Sequence, residues 1–443
     1  MDALSLLGLC MVAGLALLGL GTAASLWSGA KAAGRAREDR ASAKASGALP
    51  PSLHPRIDEA RCIGSGSCVK VCPEGDVLAV LDGKAEVVNP TSCIGHGECL
   101  RACPVDAIEL VLGSLERGVD IPLVKGDFQT DVPGLYVVGE LGGMGLIYNA
   151  MTQALQCMEG LAAAPPEPLP GGHQLVIVGA GPAGIAASLA AKEQGLDFVT
   201  VDQEDAGGTV LQFPRHKIVM TKPVHLPLYG PLKVTEVRKE ALLEAWHDIM
   251  ARTGLQVRTK VKVSGVQRGD DGVFTVSTSE GELRARRVIL AMGRRGSPRK
   301  LGVPGEDKSK VTYRLVDPEA YEGKRVLVVG GGDSAVEAAV ALGEHGADVS
   351  LSYRKKSFGR IKKKNKAKLD GACERGDVSL LLQTNVVAIE DDAVRLTGPQ
   401  GEVSVPNDYV LVFAGGVLPT SFLKAAGVQI ETYRGERYAP ANV

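Results

Sequence analysis

Six cysteines fall in two matching runs. Cys62, Cys68 and Cys72, the last followed by Pro73, recur 31 residues later as Cys93, Cys99 and Cys103, followed by Pro104. Nine cysteines in 443 residues are too few for a disulfide scaffold, and clustering of this kind is how metal ligands distribute themselves. Soft thiolate sulfur suits iron-sulfur chemistry. The glycines between the cysteines, Gly64, Gly66, Gly95 and Gly97, let the backbone wrap close to inorganic sulfide and aim amides at it. Zinc is a weaker rival, because its paired Cys-x2-Cys spacing is missing. A fold that has lost its metal is the other, yet random loss would not spare the same three cysteines and the proline in both halves.

Two glycine-rich turns carry the second chemistry. Leu175 to Val178 runs into Gly179-Ala180-Gly181-Pro182-Ala183-Gly184, and Val326 to Val329 runs into Gly330-Gly331-Gly332-Asp333-Ser334-Ala335. In such a turn the first glycine permits the tight bend. The second admits a pyrophosphate, the third allows close helix-strand packing, and the anion rests on the helix N-terminus. After the first turn, a strand ending at Asp202 places a carboxylate 23 residues beyond Gly179, where ribose hydroxyls are expected. After the second, the strand Val349 to Ser352 ends in Tyr353-Arg354-Lys355-Lys356 instead of an acid, which favours NADP over NAD. Nine of the fifteen residues from Arg354 to Lys368 are basic and none is acidic. Only Arg354, Lys355 and Arg360 are assigned to the 2′-phosphate. The later lysines read as a solvated run, with an anionic partner or a membrane surface as further options.

The cysteine runs resemble the bacterial two-cluster ferredoxin, Cys-x2-Cys-x2-Cys-x3-Cys-Pro, in which the last cysteine serves the other cluster. That resemblance implies one site from Cys62, Cys68 and Cys103 and another from Cys93, Cys99 and Cys72. The second ligand position holds Ser65 in one half and His96 in the other. Each site therefore has three thiolates, and both a 3Fe-4S cluster and a 4Fe-4S cluster with an oxygen or nitrogen ligand stay open.

Gly179 to Gly184, Gly207-Gly208-Thr209, Val288 to Gly293 and Gly330 to Ala335 resemble the successive landmarks of thioredoxin-reductase-like flavoproteins, over roughly residues 173 to 430. The resemblance implies FAD at Gly179, Gly181, Pro182, Ala183, Gly184, Asp202, Gly208, Thr209 and Gly293. It implies NADPH or NADH at Gly330, Gly332, Asp333, Ser334 and Ala335. The redox Cys-x-x-Cys of true thioredoxin reductases is missing, and Tyr313 to Pro318 stands in its place. The chain therefore looks closer to ferredoxin-NADP reductases of this type. Such flavoproteins also end with a strand and a Gly-Asp turn, which is not found after Phe413 to Gly416. A matching piece comes early, Pro133 to Gly139-Glu140 and on to Gly145, followed by a helix from Leu146 to Leu161. It reads as a circularly permuted segment with Glu140 in place of the aspartate, or else as a spacer.

These features need elements to position them. With 55 glycines and 4% aromatics, the expected class is α/β. Two Rossmann-like domains, for FAD and NAD(P), join a small α+β ferredoxin-like domain and one N-terminal transmembrane helix. The expected divisions are 1–30 membrane helix, 31–56 flexible linker, 57–113 iron-sulfur domain, and 114–172 permuted segment and linker. Then follow 173–305 FAD-binding, 306–415 NAD(P)-binding and 416–443 C-terminal segment. Ala3 to Ala30 carries no charge, and Lys31, Arg35, Arg37 and Arg40 follow it. Leu4 to Trp27 thus reads as a single-pass inner-membrane anchor with the body in the cytoplasm, a cleaved signal peptide being the alternative.

The expected activity is electron transfer between NAD(P)H, FAD and a one-electron acceptor such as ferredoxin, with no catalytic side chain required. The alternatives are a reductase of a small molecule or disulfide, a non-catalytic redox sensor and a quinone-linked dehydrogenase. A net charge of -1 gives no reason to expect nucleic acid. Oligomeric state is open, a homodimer included.

Overall fold

The computed structural model describes residues 27–50, 53–116, 118–142, 145–294, 296–359 and 361–438. The chain divides into two compact units, one ending at Val111 and one spanning Leu112–Val443.

The described residues of the first unit begin with a helix, α1, over residues 27–46. Strand β1 (Leu53–Ile57) lies beside a strand at the far end of the unit, while β2 (Leu78–Leu81) and β3 (Lys84–Val87) form an antiparallel hairpin. Each cysteine run ends in a single helical turn, α2 (Ser67–Lys70) or α3 (Glu98–Arg101). The glycine before each turn, Gly66 or Gly97, has φ near +70 to +77°, a conformation that glycine adopts without cost.

Two expectations fail here. Residues 31–56 were expected as a flexible linker, but the segment is helical through residue 46. Ala36 of α1 packs on Leu81 and Val88, and Arg40 donates to both carboxylate oxygens of Glu86 at 2.7 and 2.6 Å. The single-pass inner-membrane placement is also corrected. Among the described residues no helix is long and apolar enough to cross a membrane. The Leu4 to Trp27 stretch that carried that expectation lies, apart from Trp27, outside the described residues.

In the second unit, β4 (Val119–Pro122), β5 (Leu135–Val137) and α4 (Ile147–Ala163) precede the first glycine turn. Strand β6 (His173–Val178) enters the turn, α5 (Pro182–Glu193) leaves it, and β7 (Phe198–Val201) follows in parallel. Leu175, Val176 and Ile177 have no exposed surface, as expected of a strand covered on both faces. Each such side chain contributes about 1.5–3 kcal/mol of burial. Helix α6 (Lys239–Thr253) buries Leu242, Trp246 and Ile249 in the same core.

Three antiparallel strands complete the sheet: β8 (Val263–Arg268), β9 (Phe274–Thr278) and the ten-residue β10 (Gly281–Leu290). The first half of β10 pairs with β9, and its last residues run parallel to β6 on one side and β5 on the other.

The second glycine turn sits on a separate five-stranded parallel sheet. Its strands are β11 (Val311–Thr312), β12 (Arg325–Val329), β13 (Asp348–Tyr353), β14 (Val378–Leu382) and β15 (Tyr409–Val412), in the order β11-β15-β12-β13-β14. Helices α7 (Asp333–Glu344) and α8 (Lys363–Arg375) cover it. After this sheet the chain forms α9 (Thr420–Ala425) and β16 (Ile430–Tyr433), which pairs antiparallel with β4.

Candidate functional site

The six cysteines sort into two cavities, each drawing on both runs. One is lined by Cys62, Cys68 and Cys103 together with Ser65, the other by Cys93, Cys99 and Cys72 together with His96. The local reason is the helical turn before Cys72 and Cys103, which carries the last cysteine of each run away from the first two. Cys62, Cys68, Cys93 and Cys99 are buried. Burial pushes the Cys68 thiol up, and pushes that of Cys99 up to about 12, with the neighbouring Cys93 adding to the effect. A cationic centre is the natural counterweight for such thiolates.

Amides already face the sulfurs. Ala85 N–H donates to Cys62 Sγ at 3.4 Å and Ala107 N–H to Cys103 Sγ at 3.2 Å. Cβ atoms on Gly64 and Gly95 would collide with the carbonyls of Gly83 and Leu53, so the loops close tightly over both cavities. Among the described residues, no three His, Cys, Asp or Glu side chains gather tightly enough for a single ion. Thiols ringed around a cavity fit a polynuclear cluster better than a lone ion.

The two second-position residues differ in setting. Ser65 is exposed, and its hydroxyl lies 3.3 Å from that of Ser67, whereas His96 is half-buried.

The first glycine turn opens on a cavity of about 410 Å³. Gly179, Asp202, Gly208, Thr209 and Gly293 line it, as do Lys262, Met292, Pro419 and Phe422. Gly179 has φ +107°, and a Cβ there would stand 2.6 Å from the carbonyl of Ala291. A Cβ on Gly184 would collide with the carbonyl of Gly179. Gly208 passes so near that its Cβ would lie 2.8 Å from the Cα of Gly181. Pro182 and Ala183 open α5, where a proline costs nothing because that N–H has no helical partner.

Asp202 has a second task beside facing the cavity. Its carboxylate accepts from Ala180 N–H at 2.6 Å and from Glu204 N–H at 2.8 Å, tying the end of β7 to the turn. Desolvation nevertheless raises its pKa above the ordinary carboxylate value.

Gly139 and α4 pack directly on this turn. Gly139 N–H donates to the buried Gln153 Oε1 at 3.0 Å, and α4 packs against α5 in one core. Glu140 lies beside Gly145 and Gly293. Arg294 is half-buried near Glu140 and Tyr438; desolvation lowers its pKa and Glu140 opposes the shift.

The second turn repeats the logic with adjustments. Gly330, at φ +155°, bends where a Cβ would meet the carbonyl of Phe413 at 2.6 Å and the methyl of Ala335 at 2.9 Å. Gly331 is covered by the ring of Tyr353, which stacks on Phe358 with centroids 5.0 Å apart. The space over Gly332 is open, as a pyrophosphate would need. Asp333 and Ser334 begin α7, and Asp333 Oδ1 accepts from Lys362 N–H at 2.8 Å and from Asn365 Nδ2 at 2.6 Å. Arg354 and Lys355 are exposed just past β13, and Arg360 lies outside the described residues.

Sequence reasoning missed Gln153, Tyr353 and the cavity wall at Lys262, Met292, Pro419 and Phe422. Only Tyr353 carried a local signal, its place at the end of the strand that follows the turn.

Residues 176–441 match the family described as pyridine nucleotide-disulphide oxidoreductase, and residues 54–104 match the 4Fe-4S dicluster domain. The ferredoxin-NADP reductase of Ignicoccus hospitalis is 29% identical, over 58% of this chain and 81% of its own. That of Thermus thermophilus is 30% identical, over 58% and 77%. The bacillithiol disulfide reductase Bdr of Staphylococcus aureus, 24% identical over 59% of this chain and 82% of its own, superposes with a TM-score of 0.52 and shares the fold. FAD, NADP and iron-sulfur clusters are thus the cofactors of this chain. With two dinucleotide turns and a paired-cysteine unit, the chain is an NAD(P)H-dependent FAD oxidoreductase that belongs to the pyridine nucleotide-disulphide oxidoreductase family and carries a 4Fe-4S dicluster domain.

Proposed function

We propose that this enzyme moves electrons between NADPH and a one-electron protein carrier such as a ferredoxin, with Cys62, Cys68 and Cys103 holding one cluster and Cys72, Cys93 and Cys99 the other. FAD supplies the conversion between hydride and single-electron chemistry, and the clusters supply one-electron storage. The supporting observation is the sorting of cysteines from both runs into two cavities. A disulfide reductase would need a reactive thiol pair, and among the described residues the cysteines outside the two runs, Cys157 and Cys373, are far apart in sequence and raised in pKa chiefly by burial.

The side chains orient and insulate. Gly179 to Gly184 take the FAD pyrophosphate on the start of α5, Asp202 takes its ribose, and Thr209 and Gly293 border the cavity. Gly139 and Glu140 take the ribityl side, so that residues 133–163 serve as the piece that elsewhere ends such chains. Gly330, Gly332, Asp333, Ser334 and Ala335 take the nicotinamide dinucleotide, with Arg354, Lys355 and Arg360 on its 2′-phosphate. His96 or Ser65 offers a non-thiolate fourth ligand.

Anaerobic purification with iron and sulfide analysis, then electron paramagnetic resonance after NADPH addition, tests the proposal. Flavin bleaching together with reduced-cluster signals supports it. Iron-free protein, or clusters that stay oxidised while the flavin is reduced, defeats it.

A further inference from the structure

The hairpin β2–β3 is the cover of one cluster cavity and not merely a neighbour of it. Lys84 Nζ donates to the carbonyl of Cys62 at 2.6 Å, and Ala85 N–H donates to Cys62 Sγ. The hairpin bend at Asp82 and Gly83 presses its carbonyl onto Gly64, leaving no room for a side chain there.

A four-residue-per-strand hairpin is too short to hold itself rigidly in water. Helix α1 supplies what it lacks. Ala36, 8% exposed, sits against Leu81 and Val88 at the two arms of the hairpin. Arg40 grips both carboxylate oxygens of Glu86 on β3, and Arg37 reaches Asp82 in the bend at 2.7 Å. One turn of α1 therefore holds the bend, an arm and the apolar underside of a hairpin whose amide touches a cysteine sulfur.

We propose that α1 is a positioning element that sets the reduction potential of the cluster held by Cys62, Cys68 and Cys103, by clamping the Ala85 amide against Cys62. The proposal rests on the reading of those cysteines as ligands. Hydrogen bonds to cluster sulfurs are among the determinants of potential, because they stabilise the more negative reduced state. Loosening the clamp withdraws the bond and lowers the potential of that cluster. Leu78 at the start of β2 also lines the other cavity, but Ala85 does not, so the cluster there, without the clamped amide, serves as an internal reference.

The test is a redox titration of the full-length protein followed by electron paramagnetic resonance, for the wild type and three variants. Arg40→Ala removes a positive charge, Glu86→Ala a negative one, and Ala36→Gln changes no charge but crowds the contact. A clamp predicts that all three lower the potential of one cluster and leave the other unmoved, at wild-type iron content. Shifts of opposite sign for Arg40→Ala and Glu86→Ala, with none for Ala36→Gln, mean that charge alone acts and overturn the proposal. Unmoved potentials in all three overturn it as well. Wild-type protein without cluster signals would instead defeat the ligand reading on which the proposal stands.

Discussion

A methyl group built on Gly139 would stand 3.1 Å from the methyl of Ala183, so the backbone of an early segment touches the first turn of the helix that follows the FAD fingerprint. Gln153 holds that contact by accepting from Gly139 N–H inside the core. Gln153→Leu leaves a buried N–H without its partner, which costs about 1–3 kcal/mol. A lower urea midpoint and weaker flavin retention on gel filtration are the expected results; unchanged values for both would show that the contact is idle.

Gly184 has no room for any side chain. Gly184→Ala forces α5 away from the Gly179 carbonyl, an overpacking cost of about 1–3 kcal/mol or more. The ratio of flavin to protein absorbance in purified enzyme should fall severalfold, while the iron content per chain holds.

The crossed pairing of cysteines separates two single variants cleanly. Cys103→Ala should remove the cluster signal shared with Cys62 and Cys68, and Cys72→Ala the one shared with Cys93 and Cys99. Comparing each spectrum with those of Cys68→Ala and Cys99→Ala decides the matter. If Cys103→Ala matches Cys99→Ala, each run serves its own cluster.

Arg354→Ala combined with Lys355→Ala should raise the KM for NADPH by about 10- to 100-fold, the loss expected for charge-assisted hydrogen bonds of roughly 1.5–3 kcal/mol. NADH turnover, which involves no 2′-phosphate, should change little. Equal effects on the two nucleotides would place those cations elsewhere.

Among the carboxylates whose pKa the fold depresses, Asp408 is held lowest. Arg325 pairs with Asp408 at 2.7 Å, joining β12 to the start of β15, and holds its carboxyl at about 2, below the ordinary value of 3.8. A depressed carboxylate pKa means that the contribution is complete above the ordinary value and fades as pH falls through about 2. Wild type and Asp408→Asn should therefore differ in urea midpoint at pH 5 and converge near pH 2. A constant gap would assign the effect to something other than protonation.

The glycine turns and cysteine runs were legible because they answer to local constraints. Gly179 and Gly330 need backbone conformations that other residues resist, and the repeat of three cysteines plus proline survives any register of the surrounding sheet. Helix α1 was misread, although its alanines and arginines are strong helix formers and the first proline after them is Pro50. The wall formed by Pro419 and Phe422 was invisible, since nothing near those residues says that the chain returns to a turn about 240 positions earlier. Arg40 was read only for its charge beside an apolar stretch, whereas its partner Glu86 lies 46 residues away.

The ladder between β4 and β16 has a topological consequence. Val119 faces Tyr433, and the carbonyl of Leu115 lies within 3.5 Å of the Arg434 guanidinium, so the reductase unit is close to a ring in space. A few residues linking position 434 to position 118, with a break opened in the exposed loop between Ala164 and Gly172, would yield a continuous polypeptide that starts at β6 and finishes on α4. Every rung of the two sheets that carry the glycine turns would survive the rewiring.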